Sequence, residues 1–296
     1  AAALLPGVVR VISNTDKDDL VSTILDIPET EFDLEPVARQ PLPGIHQRTR
    51  AFIKAQDRCN NFCTFCITRV ARGESRSVPF NDILTDLSRA EKGGVKEAVL
   101  TGVHLAAWGQ DLRPTSSLRQ LVEMILKESD IPRIRLSSLE PWDLDEQFFM
   151  LWRDERLCPH LHIPLQSGSA KILRRMGRKI TPDGFMNIVD LARSVSPNIA
   201  ITTDLIVGFP GETDDDFSDS LSFVEKMGFA GGHVFTYSPR KGTPAATLPD
   251  QVLPEISRER GAKMREVIAQ SAGKYRDRFV NRTERVLWES SSAYGN

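Results

Sequence analysis

What this chain lacks narrows its identity before any motif does. None of its apolar runs approaches the ~18 residues that a membrane-spanning helix needs. The apolar opening, residues 1–9, is interrupted by Pro6 and Gly7 and follows no basic segment, which makes it a poor secretion signal. Cysteine is scarce: four in 296 residues do not form the disulfide framework of a secreted protein, so the cytosol is the expected compartment. Excess positive charge is also missing. Lys and Arg number 38 against 40 Asp and Glu, a net charge of −2, which excludes a protein that grips nucleic acid over its whole surface. Any RNA contact is therefore local, or is made largely by something outside this chain. There is no internal repeat and no low-complexity tract. The chain opens on Ala rather than Met, and both ends read as breaks in a longer protein.

What is present is a globular composition, 40% hydrophobic and 26% charged, in a length sufficient for a sizeable core. From Thr49 onward, short apolar runs bounded by Gly, Pro or polar residues alternate with helix-like stretches. Strands are expected at 50–55, 97–101, 133–137, 159–165, 199–207 and 232–237. Between them, Ile83, Leu84, Leu87 and Ala90 share a helical face, with Asn81 as the expected cap and Gly93-Gly94 as the stop. Leu118, Leu121, Val122 and Ile125 repeat that spacing, as do Phe217, Leu221, Val224 and Met227. Six βα units of this kind build a parallel sheet, open or curved into a partial barrel, whose ligands sit on the loops leaving the strand C-terminal ends. The flanks differ. A strand is expected over 8–12, a helix over 18–25, a proline-bearing linker over 29–47, a long charged helix over 254–280 and a last strand over 284–288.

The sharpest signal is Cys59-Asn60-Asn61-Phe62-Cys63-Thr64-Phe65-Cys66, a C-x3-C-x2-C spacing directly after the first strand. Three soft thiolates so close together can capture an iron–sulfur cluster or zinc. Structural zinc asks for four protein ligands, and no second C-x-x-C exists, while His104, His160 and His162 are spaced unsuitably. Three ligands from one loop leave one iron of a cubane open to a small molecule. The plain alternative is three buried structural cysteines.

With these residues in place, the chain resembles the radical S-adenosylmethionine (SAM) enzymes, in which three such cysteines hold a [4Fe–4S] cluster after the first strand of a βα barrel. The resemblance implies that SAM chelates the fourth iron and is cleaved to a 5′-deoxyadenosyl radical, chemistry that belongs to the cofactors. It narrows further. The runs 54–60, 71–77 and 100–105, then 162–169 and 203–213, are similar in order to the methylthiotransferases, over about residues 50–278. Thr101-Gly102-Val103-His104-Leu105 and Ser137-Ser138-Leu139-Glu140-Pro141 are most similar to the branch that methylthiolates threonylcarbamoyladenosine in tRNA.

The resemblance implies an α/β fold: a partial (βα)6, TIM-like radical-SAM barrel over 48–280. Residues 1–47 correspond to the remnant of an N-terminal α/β domain plus linker, and 281–296 to the start of a C-terminal TRAM β-domain. It further implies a methylthio group added to carbon 2 of the modified adenosine beside the anticodon, with tRNA and a reducing electron donor as partners. Isopentenyladenosine tRNA or a ribosomal-protein side chain is the alternative substrate, and a non-catalytic, metal-stabilised binding module the alternative class. A second [4Fe–4S] cluster is expected only in the full-length protein, because 1–47 contains no cysteine. Arg58 stands where the family usually carries Gly, which requires a negative φ for easy accommodation.

The remaining site residues each have a plainer reading. Cys59, Cys63 and Cys66 are the expected metal ligands. Thr101-Gly102 can approach SAM through backbone or form a simple turn. Ser137 and Glu140 can hydrogen-bond SAM or cap a helix before Leu144; Gln166 can contact ribose or carboxylate, or lie at an N-cap. Asp204, inside an apolar strand, must meet a partner or face the barrel mouth. Gly208 to Gly211 can approach the adenine or merely shape a turn. Arg178 is expected to pair with SAM's carboxylate, within a second basic patch of Arg174, Arg175 and Lys179. Arg69, Arg72 and Arg76 can bind phosphate or the threonyl carboxylate, or form a solvated charge run. Cys158 reads as a small core residue.

Overall fold

The computed structural model describes residues 8, 11, 12 and 49–288. The helix expected over 18–25, the linker over 29–47 and most of the strand over 8–12 lie outside the described residues.

Six parallel strands form the body of the molecule. Strand β1 (Arg50–Lys54) is followed by a two-residue pair, β2 (Gln56–Asp57) and β3 (Arg76–Ser77), then by β4 (Glu97–Thr101), β5 (Ile134–Leu136), β6 (His160–His162), β7 (Ala200–Val207) and β8 (Gly231–Thr236). β1 pairs with β4 and β4 with β5; β6 pairs with β7 and β7 with β8, all in parallel. The two halves meet at Ile134, which donates to the Arg156 carbonyl and accepts from the Cys158 N–H. The order is thus β1-β4-β5-β6-β7-β8, and the edges β1 and β8 do not pair with each other. This is a partial barrel with an open side.

Alternation decides its two faces. In β7, Ile201, Thr203, Leu205 and Val207 are buried and Thr202, Asp204 and Ile206 are only half-buried. Each fully buried aliphatic side chain on the helix-covered outer face contributes roughly 2 kcal/mol, so burial fixes that face and leaves the inner one free to be polar. At the start of β4, Glu97 is buried on the inner side, 2.9 Å from the Arg50 and Arg133 Nε atoms and 2.8 Å from that of Arg135. Cys158 lies in the core, as its size suggests, with Sγ 3.5 Å from Glu97 Oε2.

The helices follow the apolar spacing. α1 (Thr68–Arg72) closes the cysteine loop; α2 (Phe80–Lys92), α3 (Leu118–Glu128), α4 (Glu146–Phe149), α5 (Ala170–Arg175), α6 (Pro182–Val195) and α7 (Asp214–Met227) lie between the strands, and α8 (Pro254–Asp277) packs on β8 and α7. Two expectations fail locally. α2 begins one residue before Asn81, with Pro79 at its N-cap and no side-chain cap, because a proline's fixed φ suits a helix entrance. Residues 284–288 form no strand, since among the described residues no neighbouring strand offers them a ladder.

Candidate functional site

The cysteine loop leaves β2 and runs across the C-terminal ends of the strands. Its shape is set from outside. Thr64 N–H donates to Met176 O at 2.9 Å, the Thr64 hydroxyl to Arg175 O at 2.9 Å, and Ala245 N–H to Thr64 O at 2.9 Å. Gly177 is required there: its φ is +70°, and an added Cβ would stand 2.9 Å from the Phe62 carbonyl. Arg58 also has a φ of +70°, not the negative value that would accommodate its side chain easily. The conformation is held by its N–H, which donates to Asp57 Oδ1 at 2.8 Å, and by its carbonyl, which accepts from Gln56 Nε2 at 2.8 Å.

Each of the three sulfurs meets its own polar group. Cys59 Sγ accepts from Asn61 N–H at 3.4 Å, and the Asn61 side-chain Nδ2 in turn lies 3.4 Å from His104 Nδ1. Cys63 Sγ lies 3.9 Å from Arg178 Nη1. Cys66 Sγ lies 3.1 Å from the Thr68 hydroxyl and accepts from Thr68 N–H at 3.5 Å. Burial opposes ionisation of Cys59, but the hydrogen bonds from His104 and Asn61 outweigh it and hold the thiol below its ordinary value. For Cys63 burial prevails and pushes the thiol up, although Arg178 works against it.

Among the described residues no three Cys, His, Asp or Glu side chains are placed to share one metal ion. A cubane asks something different of its ligands, since each thiolate binds a different iron. The sulfurs are half-buried or exposed rather than sealed in the core, against the plain structural reading.

The expected SAM residues gather on the same rim. Thr101 ends β4 and its hydroxyl donates to Ile53 O at 3.2 Å. Gly102 N–H donates to Ser137 Oγ at 3.3 Å, and a Cβ on Gly102 would come within 3.0 Å of Gln56 Oε1 and the Leu105 backbone. Packing therefore leaves little room for a side chain here. Glu140 Oε2 stands 2.7 Å from Arg178 Nη2, which also donates to Pro164 O at 2.6 Å; the guanidinium lies 4.5 Å from the Trp142 ring centre. Arg178 Nε is buried without a hydrogen-bond partner. Gln166 has φ +73°, a strained value for a residue with a side chain, locked because its N–H donates to Asp204 O and its carbonyl accepts from Ile206 N–H, both at 2.8 Å. It is no N-cap; Ser169 caps α5. Similarly, Asp145 rather than Ser137 or Glu140 caps α4. Asp204 has the partner expected of it, with Oδ2 3.2 Å from His162 Nε2.

Gln166 and Asp204 open onto a cavity of about 310 Å³ shared with Phe65, Phe235, Tyr237 and Arg240. The Tyr237 hydroxyl is buried with no partner. An orphaned hydroxyl, two polar side chains and two aromatic rings beside the thiol loop suit a nucleoside. Sequence reasoning passed over Phe65, Phe235, Tyr237 and Arg240, although the last three leave a strand's C-terminal end like the other ligand loops. It also set aside His104, which is buried, with Nε2 2.8 Å from Asp143 Oδ2 and its N–H donating to Gln56 Oε1 at 2.8 Å. Asp143 and Cys59 hold that imidazole's pKa up at about 9, against the effect of burial.

The basic residues divide. Arg72 pairs with Asp57 at 3.1 Å, and Arg69 stacks 3.8 Å from the exposed Phe62 ring while donating to Asn60 O. Arg76 is exposed. The second patch is not a patch: Arg178 is buried, and Arg175 Nε donates to Pro210 O at 3.0 Å, fixing the turn that carries Gly208 and Gly211.

Comparison with known proteins agrees with this geometry. The family model for the radical SAM superfamily matches residues 53–224. The chain is 42% identical over 256 residues, 86% of its length, to a threonylcarbamoyladenosine tRNA methylthiotransferase, MtaB, of Thermotoga maritima, of which it covers 58%. It is 37% identical over 276 residues, 93% of its length, to a tRNA-2-methylthio-N(6)-dimethylallyladenosine synthase of Acetivibrio thermocellus, of which it covers 57%. The chain thus spans little more than half of these relatives. Among solved structures, the radical SAM coproporphyrinogen III oxidase HemN of Escherichia coli superposes with a TM-score of 0.59 at 16% identity, over 81% of this chain and 57% of that one. At that identity the likeness speaks to the fold alone.

Proposed function

This chain belongs to the radical SAM superfamily, and from that membership we propose that it is the catalytic core of a tRNA methylthiotransferase acting on carbon 2 of N6-threonylcarbamoyladenosine beside the anticodon. The observation that carries the reading is the rim itself: three thiols on one loop, each with its own polar neighbour, beside a cavity that suits a nucleoside.

Cys59, Cys63 and Cys66 would hold a [4Fe–4S] cluster, and Arg178, Glu140, Gln166 and Asp204 the polar groups of SAM. Phe65 and Phe235 would flank its base. When bound, these cofactors supply the electron and the radical that removes a substrate hydrogen. The chain's own residues orient them. Arg178 sets positive charge beside Cys63, and the bonds from Arg175, Met176 and Ala245 hold the thiol loop against the strand ends. Residues 48–280 form the core; 1–47 belong to an N-terminal domain that in the whole protein carries further cluster cysteines, and 281–296 begin a TRAM module. tRNA and a reducing donor are the partners. Among the described residues no helix is long and apolar enough to cross a membrane.

Anaerobic reconstitution with iron and sulfide tests the cofactor reading. Brown absorbance, an EPR signal altered by SAM and release of 5′-deoxyadenosine are expected; a colourless zinc protein that never cleaves SAM would remove it. The substrate is tested by nucleoside mass spectrometry of tRNA from cells lacking the gene. Loss of methylthiolated threonylcarbamoyladenosine is expected, and loss of the dimethylallyladenosine product instead would move the chain to the branch it matches at 37% identity.

A further inference from the structure

The thiol loop carries two aromatic rings with different fates. Phe65 packs edge-on to Phe209, with 6.4 Å between ring centres, and lines the cavity. Phe62, just before Cys63, is held out in water with 72% of its surface exposed. A single exposed phenylalanine says little by itself. This one differs because both the ring and the chain that bears it are fixed. The Arg69 guanidinium lies 3.8 Å from the ring centre, and its Nη1 donates to the Asn60 carbonyl at 2.9 Å. Asn60 is held in turn, its side-chain oxygen accepting from Ser75 N–H at 3.0 Å. The Phe62 carbonyl sits so close to Gly177 that a Cβ there would stand 2.9 Å from it, and the bond from Thr64 N–H to Met176 O follows at once. One face of the ring therefore carries a cation while the other is open to solvent. The surroundings are positive: the segment from Lys54 to Arg76 holds five Lys and Arg against two Asp and Glu, in a chain whose net charge is −2.

We propose that the Phe62–Arg69 pair is a stacking platform for an unpaired base of an RNA loop. The inference rests on the tRNA reading above and gives it a contact point on this chain. Every nucleobase has a π face that stacks on an aromatic ring, and each base brings a phosphate with it. A ring set in a positive surface therefore suits single-stranded nucleic acid better than the apolar face of another protein. The guanidinium backs the ring through its own cation–π contact and, being anchored, leaves little ordering to be done when a base arrives. A paired base keeps its faces against its neighbours in the helix, so loops are favoured over duplex. Because Phe62 adjoins Cys63, a base stacked there lies beside the thiol rim, close to where the modification would occur.

The test is a fluorescence-anisotropy titration of an anticodon stem-loop RNA with this chain, wild type against Phe62→Ala, Phe62→Leu and Phe62→Trp, with a blunt RNA duplex for comparison. The ring is exposed, so these substitutions remove no core packing, and circular dichroism checks that each variant folds. Phe62→Ala is expected to weaken stem-loop binding about fivefold or more at every salt concentration, because stacking, unlike phosphate contact, is not screened. Phe62→Leu, apolar but unable to stack, should weaken it nearly as much. Phe62→Trp should bind at least as well as wild type, and duplex binding should not change. Equal affinity in Phe62→Ala and wild type overturns the inference, as does a wild-type chain that leaves the stem-loop unbound at low salt. Should Phe62→Ala not fold, Phe62→Leu decides, and wild-type affinity in that variant overturns the stacking in either case. A dimer seen in sedimentation that Phe62→Ala abolishes, with RNA affinity unmoved, would assign the ring to a protein contact instead. The two readings fail separately. Stem-loop binding that depends on Phe62 stands even if cells lacking the gene keep their methylthiolated tRNA, whereas loss of that modification with binding indifferent to Phe62 sinks this inference alone.

Discussion

At the scale of single residues, the thiol loop contains a conflict between side chain and backbone. Arg58 sits at φ +70°, where an L-residue with a Cβ is strained by about 1 kcal/mol or more and glycine is not. Arg58→Gly should therefore raise stability, by up to about 1 kcal/mol after the flexibility of glycine in the unfolded chain is counted. Chemical denaturation of the two proteins checks this; a fall in stability would mean that the guanidinium, close to Gly73, contributes more than the strain removes. The second residue-scale expectation concerns Cys63. Cys63→Ala should lose bound iron and SAM cleavage together, since two thiolates do not retain a cubane; iron analysis showing the normal content would contradict the ligand assignment.

Elements explain how the rim keeps its shape. The loop after β6 approaches α7 so closely that a Cβ on Gly168 would lie 2.8 Å from Ser220 Cα and 2.9 Å from Phe223 Cβ. Backbone cannot step aside cheaply. Gly168→Ala should cost about 1–3 kcal/mol and displace the neighbouring Gln166 from the cavity wall. A combined measurement of melting temperature and SAM affinity checks both effects, and an unchanged pair would show that α7 yields without strain. The strands and most helices were legible because their apolar spacing is local: 97–101 and the helix through Leu118 stand where the pattern places them. The cap of α2 was missed because Pro79 acts through fixed geometry rather than a side-chain oxygen. Gln166's strained φ was invisible for the opposite reason, since bonds to β7 impose it.

Over the whole molecule, the three cysteines could be read as a set because eight consecutive residues carry them. The groups that meet their loop could not, because His104 stands 43 positions from Asn61 and Arg178 stands 115 from Cys63. Long-range charge also governs acid stability. Burial would raise the Glu97 pKa, but hydrogen bonds from Arg135 and Arg133 and the charge of Arg50 prevail and lower it to about 2 from 4.5. A carboxyl depressed in this way contributes stability that is complete above pH 4.5 and is lost as pH falls toward 2. The amount is roughly 3 kcal/mol. Urea titrations between pH 5 and 2 should show this loss in the wild type and a flatter dependence in Glu97→Gln; parallel curves would assign the acid transition to other groups.

The bond from the Thr64 hydroxyl to the Arg175 carbonyl spans 111 positions, and the one from Ala245 to Thr64 reaches further still. A ribosome delivers the cysteines long before it delivers what braces them. Throughout that interval of synthesis the nascent chain presents three thiols on an unsupported segment, exposed to whatever oxidant or stray metal is at hand. A truncation upstream of Ala245 would keep all three cysteines and lose one of the bonds that brace their loop.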